Sequence, residues 1–250
     1  MKKWIIRLVI AGVALGVVAL VVLFLSLNTV VKKGVEAIGP QIVKVDVKLG
    51  SAAISPFSGS GKLSGLVVGN PAGYKSASAI KVGSIKVAVA LGSVTSDIIK
   101  IDSINIQSPD ITCEGGLAGI NLNALKKNLA APADSGGTAA GKTSATSGKK
   151  FYVKDIVIEG GQITVALNEL GGKGLTVPLP PIHLHNVGSE TAGVTAQELV
   201  SQVLEPLLSS AVKAALEQAG NLGKEAGKVG KGAAEQLNNA SKGLKGLFGK

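Results

Sequence analysis

An unbroken apolar run near the N-terminus constrains this chain more than any other feature. The run extends from Leu8 to Leu27, holds no charged residue and has Ser26 as its single hydroxyl. A helix of that length rises roughly 30 Å, which matches the hydrocarbon thickness of a bilayer. A secretory signal has a shorter apolar core and a small-residue cleavage site, and the sequence around Ser26 is a poor match to such a site. We therefore predict an uncleaved transmembrane anchor.

The charges that flank this run predict which side of the membrane holds the rest of the chain. Three basic residues precede the run and two follow it: Lys2, Lys3, Arg7, Lys32 and Lys33. This bias places the N-terminus in the cytoplasm. We expect a single-pass protein of the inner (plasma) membrane, whose bulk is periplasmic or otherwise extracytoplasmic. The anchor and a short helix occupy residues 1–40, and Gly39-Pro40 is the predicted end of that helix.

After residue 40 the apolar period changes from that of a helix to that of a strand. Between Val45 and Leu49, apolar residues alternate with Asp46 and Lys48, as in a strand with one solvated face. The same period recurs at 62–69, 79–91, 100–107, 111–114, 152–159 and 162–167. Gly160-Gly161 predicts a hairpin turn between the last two segments. We predict a mainly β fold, in which residues 41–129 and 150–193 form the β domain.

Three segments lack this strand period. Residues 130–149 consist of Ala, Gly, Ser, Thr, Pro, Lys and Asp, which predicts a flexible linker. Residues 194–219 carry apolar side chains at helical spacing behind a Thr195–Glu198 capping box, which predicts an amphipathic helix. Residues 220–250 form a flexible tail rich in Gly, Lys and Ala. Its candidates for contact with a membrane surface are Leu244, Leu247 and Phe248.

An internal repeat connects the predicted strands. The pattern Ile101-x-x-Ile104-x-Ile106-x-x-Pro109-x-Ile111-Thr112 returns 52 residues later as Val153-x-x-Ile156-x-Ile158-x-x-Gly161-x-Ile163-Thr164. Shorter matches begin at Leu63 and Leu179. Stacked units of this kind align their apolar faces, so we predict a curved antiparallel sheet of strand-turn-strand units with an aliphatic concave face. The alternative is a set of ordinary antiparallel strands that share a period without being a repeat.

Several of these segments resemble the start of AsmA-family proteins. The resemblance rests on the anchor, on the Gly-Pro after the short helix, and on three stretches: 45–49, 65–74 and 101–109. It covers roughly residues 1–129 and, more loosely, 150–187. It implies a protein anchored in the bacterial inner membrane that projects a β-sheet into the periplasm and handles lipid or envelope assembly. The longest relatives of that family resemble bridge-like lipid transfer proteins, and this chain is far shorter than a groove that spans an envelope.

The composition and motifs favour a protein that is not an enzyme. Aromatic residues make up 3% of the chain, which has two histidines, whereas enzyme pockets usually recruit aromatic and titratable groups. The net charge of +10 is not interleaved with aromatics that stack on bases, so we expect no nucleic acid. Gly136 to Thr143 matches a phosphate-loop pattern but lacks the strand before it and the helix after it, so we expect no nucleotide.

Three further residues have types that occur in reactive sites. His183 and His185 share one face of a strand, but zinc needs three or four ligands, so we predict no metal site. Cys113 alternates with Ile111 on a strand and reads as a small buried hydrophobe. We predict no catalytic residue and no cofactor.

The leading functional hypothesis is therefore lipid binding or transport, or outer-membrane and envelope assembly, with membrane lipids and envelope proteins as partners. The residues expected to face lipid are Val87, Val89, Ile104, Ile106, Ile111, Ile156, Ile158 and Ile163. The first alternative is a structural or interaction module of the envelope, in which the helix of residues 194–219 covers the apolar face and no lipid binds. The second is a stress-protective β-sandwich.

Overall fold

The computed structural model describes residues 2–116, 119–130, 148–167 and 174–229. A long helix α1 leads into three strands and a single-turn 3-10 helix. The bounds are α1 (Lys2–Val43), β1 (Val47–Ser55), β2 (Ser60–Val68), β3 (Ile80–Val89) and the 3-10 turn (Leu91–Ser93). Then come β4 (Ile98–Gly116), β5 (Gly119–Ile120), α2 (Asn121–Ala130), β6 (Lys150–Glu159), β7 (Gln162–Leu167), β8 (Gly174–Pro178), β9 (Ile182–Val187) and α3 (Ala196–Val229).

Within the described residues the strands form one mixed, nine-stranded sheet. Its main order is β1-β2-β3-β4-β6-β9, while β7 continues alongside β4 and β8 pairs with β7. The mainly β class is confirmed. The antiparallel prediction is wrong in one place, because β6 and β7 both run parallel to β4. Parallel neighbours need a crossover connection, and the chain between β4 and β6, which includes α2, supplies it.

The predicted hairpin at Gly160-Gly161 is also wrong. β6 and β7 pair one after the other along β4, so the chain continues in one direction through the two glycines. The repeat explains this arrangement. Ile104 lies opposite Ile156 and Ile111 lies opposite Ile163, so the residues of β4 that pair with β6 and β7 do so with the residue 52 positions later. The repeated units therefore lie side by side in register, so that equivalent apolar residues of the two units are direct neighbours.

The three-residue spacing from Ile106 to Pro109, repeated from Ile158 to Gly161, marks a crease in the sheet and not a turn. Unpaired positions run across neighbouring strands in one line, at Gly50, Gly65, Gly83, Ser108 and Gly160. Three of these, Gly65, Ser108 and Gly160, have φ between 52° and 67°. A left-handed residue shifts the side-chain alternation, so the apolar residues before and after the crease are buried on the same face.

Helix α1 is longer than the sequence suggested. It passes through Pro40 to Val43, and Lys44 follows it with a φ of 55° as a left-handed C-terminal residue. Burial of Ile42 and Val43 in the core favours this extra turn. The apolar run Leu8–Leu27 lies inside α1. Searched over the described residues, the helices include none with the length and hydropathy needed to cross a bilayer, so the transmembrane anchor stays a prediction.

One apolar core lies between the sheet and the helices. The sheet face that packs against α2, α3 and the end of α1 is called the inner face below. Helix α3 starts as predicted, since the Thr195 hydroxyl accepts a hydrogen bond from the Glu198 N–H at 3.2 Å and the Glu198 carboxylate accepts one from the Thr195 N–H at 2.8 Å. It continues to Val229, so the helix is longer than the predicted 194–219 and includes the start of the predicted tail. Its Leu207, Leu208 and Ala211 are buried in the core.

Candidate functional site on the inner face of the sheet

The inner face carries four rows of aliphatic side chains that cross the strands. Cross-strand partners share a face, so the register of the sheet defines each row. Two rows lie on the α2 side of the crease: Val47, Val68, Ile80, Ile111, Ile163, Val177; and Leu49, Leu66, Val82, Pro109. Leu179 continues the second row across Gly161. Two rows lie on the other side: Ala52, Leu63, Ile85, Ile106, Ile158, Ile182; and Ile54, Gly61, Val87, Ile104, Ile156, Leu184.

All eight residues predicted to face lipid lie in one apolar core or pack against it. Five of them are buried: Ile106, Ile111, Ile156, Ile158 and Ile163. The other three, Val87, Val89 and Ile104, are only partly buried and pack against that core. The sequence thus grouped these side chains correctly on one apolar surface. Their role in facing lipid stays a prediction.

The helices cover the inner face unevenly. Helix α1 packs on β1, and α3 packs on β4, β6, β7, β8 and β9. Helix α2 contacts both α1 and α3 beyond the crease. The half of β2 and β3 on the other side of the crease lies between these packing regions. Its apolar side chains, together with Ile104, remain partly exposed; this surface, formed by Leu63, Ile85, Val87, Val89 and Ile104, is called the open groove.

A stripe of polar residues joins α1 to the edge strand β1. Asn28, Lys32 and Glu36 recur every four residues and so share one helix face. The Asn28 Oδ1 accepts from the Ile54 N–H at 2.8 Å, and the Glu36 carboxylate accepts from the Leu49 N–H at 3.1 Å. Lys32 Nζ donates to the Gly50 carbonyl at 3.1 Å. These bonds satisfy edge groups that would otherwise attract a foreign strand.

The hydrogen bonds of this stripe also show in which direction α1 runs relative to β1. Going from Glu36 back to Asn28, the bonded positions on β1 advance from Leu49 to Ile54. Helix α1 is therefore antiparallel to β1, and its apolar run continues past the β1–β2 turn. The open groove lies at this same end of the sheet. Sequence reasoning missed these three residues, although their four-residue spacing after the apolar run was a usable signal.

A buried polar cluster holds the loop between β2 and β3. Glu114 has 1% of its surface exposed, and its carboxylate accepts from the backbone N–H groups of Lys75 and Ser76 at 2.7 and 2.6 Å. Asn121 donates to the Asn70 side chain at 2.8 Å and so joins the loop to α2. Burial, and to a lesser extent the Glu114 charge, raises the pKa of Tyr74. Asn70, which lies in the stretch 65–74 of the AsmA-like resemblance, therefore has a structural role.

The remaining titratable candidates do not converge. His185 Nδ1 lies 2.6 Å from an Asp155 carboxylate oxygen, and both side chains are largely exposed. Among the described residues no group of three or more His, Cys, Asp or Glu could hold a metal ion. Burial raises the pKa of Cys113 to about 12. Hydrogen bonds from the backbone and side chain of Thr195 lower the pKa of Glu198.

Two sets of predicted residues fall outside the described part of the chain. They are the membrane-surface candidates Leu244, Leu247 and Phe248, and the phosphate-loop-like stretch from Gly136 to Thr143. Most of the predicted linker, residues 131–147, lies outside it as well. These predictions therefore stand as the sequence made them.

Comparison with known proteins adds no relative. No protein-family model, no curated protein and no solved structure matches this chain.

Proposed function

We propose that this chain is a non-enzymatic, single-pass inner-membrane protein that resembles the AsmA family and receives lipid acyl chains on an extracytoplasmic β-sheet. The anchor is the apolar run Leu8–Leu27. The observation that carries the proposal is the position of the open groove. Its partly exposed aliphatic side chains lie at the end of the sheet from which the anchor departs, so a lipid leaving the bilayer meets them first.

The chemistry of this function is solvation without reaction. Each methylene group of an acyl chain that leaves water for an apolar surface gains roughly 0.8 kcal/mol. Val87, Val89 and Ile104 offer such a surface, and the buried rows continue it beneath α3. Helix α2 closes the far end, so access is from the anchored end. The size of the sheet fits a local role in lipid binding or envelope assembly. The six strands of its main order span only about 24 Å at 4.8 Å spacing.

The test replaces one side chain of the open groove with a charge. Val87→Glu places a carboxylate where an acyl chain would lie, at a side chain that is only partly buried. We expect native mass spectrometry of full-length protein, extracted in mild detergent, to find bound phospholipid on the wild type and little on the variant. Leu175→Glu is the matched control, since Leu175 is an exposed aliphatic residue on β8, far from the groove.

Two outcomes would contradict the proposal. One is wild-type protein without bound lipid. The other is equal lipid occupancy in wild type and Val87→Glu while circular dichroism shows both folded. Loss of lipid from Leu175→Glu as well would mean that the charge acts on the protein in general and not on the groove.

A second candidate function is a ligand-free structural or interaction module of the envelope. The observation that favours it is the packing of α3, whose Leu207, Leu208 and Ala211 occupy the inner face where five of the predicted lipid-facing residues lie. A helix that covers a sheet in this way leaves less apolar surface to solvate a ligand. The same mass measurement separates the two candidates, because this module carries no stoichiometric lipid in either variant.

A further inference from the structure

Exposed apolar side chains gather at the end of the sheet from which the anchor departs. Phe57, in the turn between β1 and β2, is 80% exposed. Leu91 and Val94, just after β3, are 46% and 44% exposed. These two segments are neighbours, since the Val89 N–H donates to the Gly59 carbonyl at 2.8 Å. The three side chains form one apolar tip, called the sheet tip below.

The polar stripe of α1 fixes the position of this tip along the helix, relative to the apolar run. Asn28 is the first residue after the apolar run, and it bonds the backbone of Ile54 at 2.8 Å. Phe57 lies three residues beyond Ile54 in the direction of the apolar run. Three residues reach at most about 10 Å. When the run Leu8–Leu27 fills the hydrocarbon layer, Phe57 therefore lies at the depth of the headgroups, beside the helix.

The charges around the tip suit an anionic surface. Lys62 and Lys86 are direct cross-strand partners on the outer face, although like charges in that position repel each other. Among the described residues neither lysine forms an ion pair. Lys149 Nζ donates to the carbonyls of Val94 and Ser96 and so stands over the same end. The acids at this end are Asp97, Asp102 and Glu190. Asp102 is exposed between the β4 partners of Ala88 and Val89, and Glu190 pairs with Lys100 at 3.0 Å.

We propose that the sheet tip docks into the headgroup layer of the leaflet that α1 leaves, with Phe57, Leu91 and Val94 inserted and Lys62 and Lys86 facing lipid phosphates. The proposal rests on the membrane anchoring proposed above. An apolar wedge flanked by lysines is the pattern that interfacial segments use on anionic lipid. Docking seats the open groove against the bilayer and so gives acyl chains a path that avoids water.

The experiment places an environment-sensitive dye at the tip of the full-length protein. Phe57→Cys and Leu175→Cys are labelled with a nitrobenzoxadiazole maleimide and reconstituted into phosphatidylcholine vesicles with about a third phosphatidylglycerol, which carries the anionic charge. Cys113 is buried, and its raised pKa keeps it unreactive in the folded protein. We expect blue-shifted emission and quenching by spin-labelled lipid at position 57, and neither at position 175.

A second pair of variants tests the lysines. Lys62→Glu combined with Lys86→Glu, in the Phe57→Cys background, should reduce the quenching on anionic vesicles to its level on phosphatidylcholine alone. Lys81→Glu is the matched control, because Lys81 is an exposed lysine on the same strand beyond the crease. It should leave the quenching unchanged. Equal quenching in the double variant and the control would show that Lys62 and Lys86 do not face lipid phosphates.

Vesicle flotation separates this proposal from the proposed function. Protein that floats with vesicles while the label at position 57 stays as water-exposed as the label at position 175 overturns docking and leaves the anchor intact. Protein that does not float overturns the anchor itself and docking with it. Floating protein with quenching confined to position 57 supports both.

Discussion

Glu114 is a buried carboxylate whose partners include the backbone of a loop, so its replacement tests a single polar contact. Its oxygens accept hydrogen bonds from the Lys75 and Ser76 N–H groups. In Glu114→Gln one oxygen becomes an NH₂ group that faces a donor. Since hydrogen bonds to a charged group contribute about 1.5–3 kcal/mol, we expect the free energy of unfolding to fall by about 2–3 kcal/mol in denaturant titrations.

A surface carboxylate supplies the control for this substitution. Glu190 is 62% exposed and pairs with Lys100. Exposed ion pairs contribute little, so Glu190→Gln should change the unfolding free energy by less than about 1 kcal/mol. A similar loss in both variants would show that the burial of Glu114 is not what makes its contacts strong.

Because Cys113 is buried, we expect the free energy of unfolding to fall as the pH rises. Burial raises its pKa from 9.0 to about 12 in the folded state. The unfolded state therefore loses this proton first as the pH rises, and the stabilising contribution, complete below pH 9, is lost between pH 9 and 12. From pH 8 to pH 10, wild-type protein should lose about 1.4 kcal/mol more unfolding free energy than Cys113→Ala. Urea titrations of both proteins at the two pH values measure this difference, and parallel losses would contradict it.

At the scale of elements, the crease depends on backbone conformation more than on packing. Gly160 has a φ of 65°, and a Cβ there would lie 3.7 Å from the nearest atom, the Ser108 hydroxyl. Gly160→Ala therefore meets no steric barrier from its neighbours but forces an L-residue into the left-handed region. We expect a loss of about 1–2 kcal/mol in unfolding free energy.

Gly83 is the matched control for that prediction. It occupies the same crease on β3, its φ lies outside the left-handed region, and a Cβ would be 3.4 Å from the Gln107 carbonyl. Gly83→Ala should change the stability by less than about 0.5 kcal/mol, because the alanine also restricts the unfolded chain. An equal loss at both positions would mean that the crease is sensitive to bulk and not to φ.

The sequence predicted the strands better than their directions. The two-residue period around Ile104 and Ile156 placed both strands, and the 52-residue repeat anticipated that they would be neighbours. The same period serves parallel and antiparallel pairs, so the crossover between β4 and β6 was not predictable from it. Gly160-Gly161 had the composition of a hairpin, yet its left-handed glycine serves a crease, because Ser108 adopts the same conformation on the paired strand.

The sequence predicted which side chains form the inner face but not which of them are exposed. Apolar spacing identified the side chains of the inner face, since only a covered surface sustains so many aliphatic residues. Ile158 and Ile163 are nevertheless buried, while Val87 remains partly exposed. That difference depends on where α3 lies, and the helical period of α3 shows that it has an apolar stripe without showing which strands the stripe covers.

At the scale of the whole molecule, α1 joins the apolar run to the edge of the sheet. One continuous helix runs from Lys2 to Val43, and its polar stripe bonds the edge of the sheet at Ile54, Gly50 and Leu49. A sheet bonded in this way cannot rotate freely about the helix. The bonds therefore hold the open groove and the sheet tip in place relative to α1. Under the anchoring proposed above, the distance between groove and bilayer is then set by the length of the helix.

That dependence on helix length yields the last prediction. Seven helical residues of Glu, Ala and Lys inserted between Leu27 and Asn28 raise the sheet by about 10 Å and turn it by only about 20°, since each residue adds 1.5 Å and 100°. We expect bound phospholipid to fall and a label at position 57 to become water-exposed, with the thermal unfolding of the β domain unchanged. The same insertion between Arg7 and Leu8 lengthens the helix on the cytoplasmic side and should preserve both signals. If the raised sheet keeps its lipid, acyl chains reach the groove from solution and not from the adjacent leaflet.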